Sequence, residues 1–123
     1  MSEEKVYTES EIDEYLKEHL KHWYFENGWI RRKYKTSGWK STLMVINTVG
    51  HLAEVGWHHP DISASYGFVI VKLQNHAAKG ITDKDFSLAE KIESVVQWQP
   101  GKEDNTLEGT PEDPRFKYVK YDD

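Results

Sequence analysis

The sequence is 123 residues long, which suits a single compact domain, and its formal net charge of −5 argues against a general nucleic-acid binder with a basic face. It contains no cysteine, which excludes a disulfide framework and a thiolate zinc site. The opening residues MSEEKVYTES are unlike a secretory signal, and no apolar run approaches the ~20 residues of a membrane span, so we expect a cytoplasmic protein without membrane contact.

The first predicted elements are a helix and a β-hairpin. Thr8 and Glu11 have the spacing of a capping box, and apolar side chains follow at helical spacing, which predicts a helix over about residues 9–21. Asn27-Gly28 between two aromatic-rich segments then predicts a hairpin whose second strand runs over residues 29–35. We interpret the basic run at residues 31–35 as a solvated strand face.

Two further helices enclose the best strand pattern in the chain. An apolar stripe predicts a helix over about residues 38–55, and Thr82 predicts the start of another over about residues 83–98. Between them, residues 66–75 carry β-branched side chains at the centre of a strand pattern. Residues 61–75 as a whole leave room for one more strand. This order predicts an α+β fold with helices on one face of an antiparallel sheet.

Residues 101–123 differ in composition from residues 1–100, and we treat the two as a C-terminal extension and a domain. Pro111 and Pro114 give the extension a turn-like character. Its aromatic side chains could anchor it to the domain or form a short edge strand. The sequence leaves both a packed and a loose extension open.

Three of the six histidines flank the central strand pattern, with His58 and His59 before it and His76 after it. An unperturbed pKa of about 6.5 lets histidine give and take protons near neutrality. Glu54 lies four residues before His58, so its carboxylate can hold that imidazole in one tautomer. The alternative is a solvated glutamate at a helix end. A strand reversal could bring His76 back near His58.

Two other residues bear on this cluster. Adjacent His58 and His59 do not point at one small target unless the turn at Pro60 rotates one of them. Asp85 falls at the third helical position after Thr82, where a carboxylate either caps the helix or joins the site. Three histidines and a carboxylate are also common metal ligands, but no histidine pair here has i,i+4 spacing, which makes a metal site the weaker alternative.

The spacing Glu54-x-x-x-His58-His59-Pro60, followed by Tyr66, His76 and Asp85, resembles the signature of the pterin-4a-carbinolamine dehydratases. Residues 80–89 (GITDKDFSLA) are similar to that family's turn and third helix, and the resemblance covers about residues 8–98. It implies a four-stranded antiparallel sheet with about three helices on one face, assembled as a homodimer or homotetramer.

The resemblance also implies an activity, the dehydration of 4a-hydroxytetrahydropterin to quinonoid dihydropterin, which recycles the pterin used by aromatic amino acid hydroxylases. The pterin is the substrate, so no cofactor and no metal are implied. His58 and His76 become the acid and base candidates, and His59 helps to bind and polarise the substrate. The positions that orient these catalytic histidines or bind substrate are Glu54, Trp57, Pro60, Gln74, Asn75 and Asp85.

The sequence departs from the family pattern at three places. Trp57 stands where an acidic residue is common, Gln74-Asn75 replaces a small hydroxyl pair, and Ile62-Ser63 replaces residues that are frequently aromatic. These differences keep a second function open, a non-catalytic assembly factor (for example for RuBisCO) or a dimerisation or coactivator protein that binds a partner through residues 101–123. A metal-dependent hydrolase is the third alternative.

Overall fold

A computed structural model describes residues 4–103 and 106–122 and confirms the predicted α+β fold. Three helices accompany one antiparallel sheet of four strands in the order β1-β2-β4-β3. The elements in chain order are α1 (Glu9–His19), β1 (Tyr24–Glu26), β2 (Trp29–Lys35), α2 (Trp39–Gly56), β3 (Asp61–Ser65), β4 (Phe68–Leu73) and α3 (Asp83–Val96), followed by 3-10 turns at Pro100–Lys102 and Pro114–Phe116.

Capping boxes begin two of the helices. The Thr8 hydroxyl accepts from the Glu11 amide at 3.2 Å, and the Glu11 carboxylate accepts from the Thr8 amide at 2.9 Å. Thr82 and Asp85 form the equivalent pair at the start of α3. Each box gives partners to amide groups that have none inside the helix, so both helices begin where the sequence predicts.

The central strand pattern at residues 66–75 is divided in the structure. Tyr66 and Gly67 form a tight turn, β4 runs only from Phe68 to Leu73, and β3 lies in the room left from Asp61. The two strands pair from Ser65 with Phe68 to Asp61 with Lys72. A hairpin therefore replaces part of the long strand, and it supplies the fourth strand that the sequence left undefined.

The sheet has one covered face and one open face. Ile30, Arg32 and Tyr34 of β2 alternate with more exposed neighbours, and all three are buried under the helices. Val69, Val71 and Leu73 of β4 are fully buried beside them. The open face, as we use the term, carries the alternating side chains of β2 and β4: Trp29, Arg31, Lys33, Lys35, Phe68, Ile70 and Lys72.

The interpretation of residues 31–35 as a solvated face is wrong at Arg32. This guanidinium is only 5% exposed, because strand alternation directs it under the helices. It donates to both carboxylate oxygens of Glu93 on α3, at 2.9 and 3.1 Å, and also to Asp122. Tyr34 and Trp23 donate to the same Glu93 carboxylate at 2.7 and 3.0 Å, so the buried charge has a full set of partners.

The described part of the C-terminal extension packs on the domain at the far end of β2. Val119 is buried and bridges to Thr36. The Lys120 amide donates to the Lys35 carbonyl at 2.8 Å, and the Ser37 amide donates to the Tyr118 carbonyl at 2.9 Å. Of the two alternatives left by the sequence, residues 117–122 therefore adopt the packed one.

Candidate active site

The ends of four elements meet at one end of the sheet. Asp61 pairs with Lys72, so the start of β3 lies beside the end of β4. The C-terminus of α2 leads into β3, and the loop after β4 leads into α3. This arrangement brings the segments that carry the three motif histidines and Asp85 to the same end of the molecule, although these residues are spread over positions 58–85 of the sequence.

Trp57 is the C-cap of α2, and the two histidines that follow it, His58 and His59, contact different carboxylates. Its backbone is left-handed, with φ 52° and ψ 48°, and the next amide, that of His58, donates back to the Ala53 carbonyl at 3.1 Å. A non-glycine residue in this region carries backbone strain, which tends to persist at functional sites. The Trp57 side chain is 74% exposed and meets the His59 ring edge-on, with ring centres 5.0 Å apart.

His58 points inward and bonds to Asp85. The distance from Nε2 to Oδ1 is 2.6 Å, and the side chains are 14% and 0% exposed respectively. The other Asp85 oxygen accepts from the Thr82 amide at 2.9 Å. Asp85 therefore caps α3 with one carboxylate oxygen and contacts His58 with the other.

The environment of Asp85 defines what His58 can do. Burial raises the pKa of Asp85 above its ordinary value, although the hydrogen bonds from His58 and Thr82 favour its ionised form. When Asp85 is ionised, its carboxylate only accepts hydrogen bonds, so a neutral His58 paired with it donates from Nε2 and has its lone pair on Nδ1. This tautomer presents a proton acceptor away from the carboxylate, as a general base requires.

Glu54 contacts His59, so the sequence-based pairing of Glu54 with His58 is wrong. The Glu54 carboxylate lies 2.9 Å from His59 Nε2, and both side chains are more than half exposed. The left-handed turn at Trp57 ends α2 before His58, so His58 does not lie on the helix face of Glu54. An ion pair this exposed contributes little free energy, about 0–1 kcal/mol.

His76 lies in the turn after β4, where it packs against a residue that the motif did not include. Its ring meets Trp29 edge-on at 5.4 Å between ring centres. Trp29 is the first residue of β2 and lies on the open face, with the Lys72 ammonium 5.6 Å from its ring centre. His76 and His58 lie at the same end of the sheet, as expected. The ring contact of His76, however, is with Trp29.

The two amides before His76 hold the loop in place. Gln74 donates to the Gly28 carbonyl at 2.9 Å, which ties the loop to the β1–β2 turn. Buried Asn75 donates to Thr82 Oγ1 at 3.2 Å and to Glu4 at 3.0 Å, and its oxygen accepts from the Ala78 amide at 3.1 Å. Their amide nitrogens are thus occupied within the chain, which leaves substrate binding at these two positions a prediction.

Sequence reasoning missed Trp29 and Glu4 as neighbours of the site. The signal for Trp29 is strand alternation, which places it on the open face at the β1–β2 turn. Glu4, which also pairs with Lys84 at 3.0 Å, lies in an N-terminal segment that carries no motif. Only the chain path shows that this segment crosses the loop before α3, where the Tyr7 amide donates to the Ile81 carbonyl at 2.9 Å.

Other features of the described residues lie outside this cluster. A cavity of about 880 Å³ opens between the C-terminal extension and the domain, near Ser37, Lys102 and Tyr118, and no histidine lines it. Residues 4–103 and 106–122 contain no group of three or more His, Asp or Glu side chains placed to hold a metal ion. In the same residues no helix has the length and apolar character needed to cross a membrane.

Comparison with known proteins gives consistent relatives. Residues 5–95 match the family described as "Pterin 4 alpha carbinolamine dehydratase". A protein of Aquifex aeolicus, named "Putative pterin-4-alpha-carbinolamine dehydratase", is 41% identical over 90 residues, which cover 73% of this chain and 90% of the relative. A protein of the same name from Metallosphaera sedula is 39% identical over 85 residues, covering 69% and 88% of the two chains.

A solved structure has a similar fold. The crystal structure of a "transcriptional coactivator/pterin dehydratase" from Brucella melitensis superposes with a TM-score of 0.67 at 27% sequence identity, covering 74% of this chain and 98% of that one. The relatives and the family match confirm the resemblance that the histidine motif indicates.

Proposed function

The chain belongs to the pterin-4a-carbinolamine dehydratase family, and from this premise we propose that it dehydrates 4a-hydroxytetrahydropterin to quinonoid dihydropterin by histidine acid–base catalysis, in the recycling of a pterin cofactor. The observation that carries the proposal is the His58–Asp85 pair, a nearly buried imidazole oriented by a fully buried carboxylate. It lies where the ends of α2, β4 and α3 meet.

The reaction needs one proton acceptor and one proton donor. The bond between C4a and the hydroxyl oxygen breaks, and its electron pair leaves with the oxygen. Hydroxide is a poor leaving group, so an acid must protonate it to give water. N5 loses its proton to a base, and the electrons of that N–H bond form the C4a=N5 double bond. The protons balance when the acid and the base later exchange theirs through solvent.

We assign the base to His58 and the acid to His76. His58 suits the base because Asp85 fixes the tautomer that leaves Nδ1 free to accept the N5 proton. His76 suits the acid because it is exposed at the end of the sheet and free to exchange its proton with solvent. His59, held by Glu54 and flanked by Trp57, remains in the role of binding and polarising the ring.

Stopped-flow measurement of dehydration tests this proposal. The full-length protein should accelerate the reaction above its uncatalysed rate, and His58→Ala or His76→Ala should each lower the catalysed rate by about 10²-fold or more. His19→Ala is the matched control, because His19 is exposed on α1 and its ring contacts Tyr15. A folded protein that gives no rate above the uncatalysed reaction refutes the proposed function.

A second candidate function, binding of another protein chain, is favoured by one observation. Three large apolar residues near the start of α2 are between 41% and 52% exposed: Trp39, Leu43 and Met44. Large exposed apolar groups that cluster in this way mark interaction surfaces. The structural relative from Brucella melitensis is described as a coactivator as well as a dehydratase. A further copy of this chain, in a homodimer or homotetramer, is the partner that we propose for this surface.

Light scattering coupled to size-exclusion chromatography tests whether the chain forms a homodimer or homotetramer. The full-length protein should have the mass of a dimer or tetramer, and Leu43→Glu should reduce that mass without loss of helical circular dichroism. Lys17→Glu, at an exposed position on α1, is the control. A wild-type protein with the mass of one chain contradicts the homo-oligomer.

A further inference from the structure

Two cations lie opposite each other on the open face beside His76. Arg31 on β2 pairs with Lys72 on β4 in the sheet register, which places their Cβ atoms about 5 Å apart. Like charges at directly opposite positions destabilise a sheet.

Neither cation has a carboxylate partner in the part of the chain that the structure describes. Arg31 Nε donates to the backbone carbonyl of Glu26 at 3.1 Å, and the Lys72 ammonium lies over the Trp29 ring. The other two arginines of the sequence are both ion-paired, Arg32 with Glu93 and Arg115 with Asp113. Arg31 keeps the charge-assisted hydrogen-bonding capacity of its guanidinium available to a ligand.

The contacts of Trp29 connect this cationic pair to the candidate active site. The Trp29 indole contacts the His76 ring edge-on and also has the Lys72 ammonium over it. A ligand whose ring system reaches His76 can therefore extend a side chain across Trp29 towards Arg31 and Lys72. Two acidic residues lie on this face, Asp61 opposite Lys72 on β3 and Glu26 opposite Trp29 on β1. Neither forms an ion pair with Arg31 or Lys72 within residues 4–103 and 106–122.

We propose that Arg31 and Lys72 form an anion subsite, and that the substrate is a pterin whose side chain carries a phosphate or another compact anionic group. The inference rests on the proposed function, since it extends the ligand of the same site. Arginine offers a fork of donors that matches phosphate oxygens, and lysine adds a point charge. On a chain of net charge −5, this pair, together with Lys33 and Lys35 on the same face, forms a local positive region that attracts an anionic group.

Isothermal titration with two matched ligands tests the subsite. 7,8-Dihydroneopterin and its monophosphate share the ring system and differ by one phosphate. The phosphorylated ligand should bind about tenfold more tightly at low ionic strength, and this ratio should shrink as salt is added. Inorganic phosphate alone should compete with the phosphorylated ligand and not with the unphosphorylated one.

Variants assign the effect to the two cations. Arg31→Gln and Lys72→Gln should each bring the ratio of the two affinities towards one, whereas Lys35→Gln, on the same face at the other end of β2, should leave it unchanged. Equal affinities in the wild-type protein overturn the inference, as does a ratio that survives both substitutions. If the dehydration assay succeeds while the affinities are equal, only this inference fails. If neither pterin binds and no dehydration is seen, the proposed function fails and takes the inference with it.

Discussion

Replacement of Asp85 by asparagine separates its two roles. Asparagine has nearly the same shape but one acceptor oxygen where aspartate has two. In the structure, one Asp85 oxygen accepts from the Thr82 amide at 2.9 Å and the other contacts His58 at 2.6 Å. If the asparagine oxygen stays on the Thr82 amide, its NH2 group faces His58, which must then accept at Nε2 and carry its proton on Nδ1.

The expected result is a large loss of rate with a small change in stability. The wrong tautomer removes the base at Nδ1, so the dehydration rate should fall by about 10²- to 10⁴-fold. The free energy of unfolding should change by about 1 kcal/mol or less, because the lost bond to a charge is offset by the removal of a buried charge. Asp85→Ala loses both bonds and should cost about 1–2 kcal/mol more through the cap alone.

The pH dependence of stability gives an independent readout of the same substitution. Burial raises the pKa of Asp85, so the folded chain binds this proton more tightly than the unfolded chain. The contribution of this group to the free energy of unfolding therefore falls as the pH rises from the ordinary carboxyl pKa through the raised one. Chemical unfolding across mildly acidic pH should show this slope in the wild type and its loss in Asp85→Asn.

Stopped-flow rates, thermal unfolding and the ¹⁵N shifts of the His58 ring are the measurements that check this reasoning. Asp83→Asn is the control, because Asp83 lies in the same first turn of α3 and accepts from Tyr7 rather than from a histidine. A wild-type rate in Asp85→Asn, together with an unchanged His58 tautomer, would refute the reasoning and leave Asp85 as a helix cap only.

Three further predictions concern Glu54, Arg32 and the C-terminal extension. Glu54→Gln should lower the dehydration rate by less than about tenfold, because its ion pair is exposed to solvent, and stopped-flow assays at two salt concentrations check this. Arg32→Ala should lower the free energy of unfolding by about 1–3 kcal/mol, since it leaves the partly buried Glu93 carboxylate without its cation, and a urea titration measures the loss. Deletion of residues 101–123 should leave the dehydration rate per folded molecule unchanged but lower the thermal midpoint. The reason is that the extension packs at the end of β2 that is remote from the histidines, about 20 Å along the strand. A lower rate in the deletion variant, at a temperature where it is folded, contradicts this placement.

Local patterns in the sequence were sufficient for the elements of the fold. Capping boxes need only residues three apart, as at Thr8 and Glu11, and the Asn27-Gly28 turn needs only two adjacent residues. The strand at residues 66–75 was overextended, because a run of β-branched residues does not show where a hairpin turns. The turn at Tyr66-Gly67 has a glycine but no Asn-Gly or Asp-Gly pair, and the pairing of β3 with β4 defines it.

The site was predictable as a set of segments and not as a set of contacts. The motif named the segments that carry His58, His76 and Asp85, and antiparallel pairing of β3 with β4 brings these segments to one end of the sheet. It did not predict which carboxylate holds which histidine. A change of one backbone conformation, at left-handed Trp57, moves His58 from Glu54 to Asp85 and leaves Glu54 to His59.

The sequence by itself determined the α+β class, the positions where the helices begin and the histidine motif, because each depends on residues close together in the chain. Only the tertiary structure decided that Arg32 is buried with Glu93, that Trp29 lies against His76, and that Asp85 is the partner of His58. These pairs are separated by 61, 47 and 27 positions in the sequence. Their proximity depends on strand register and helix packing, which act on the whole chain at once and leave no periodic signal in either partner.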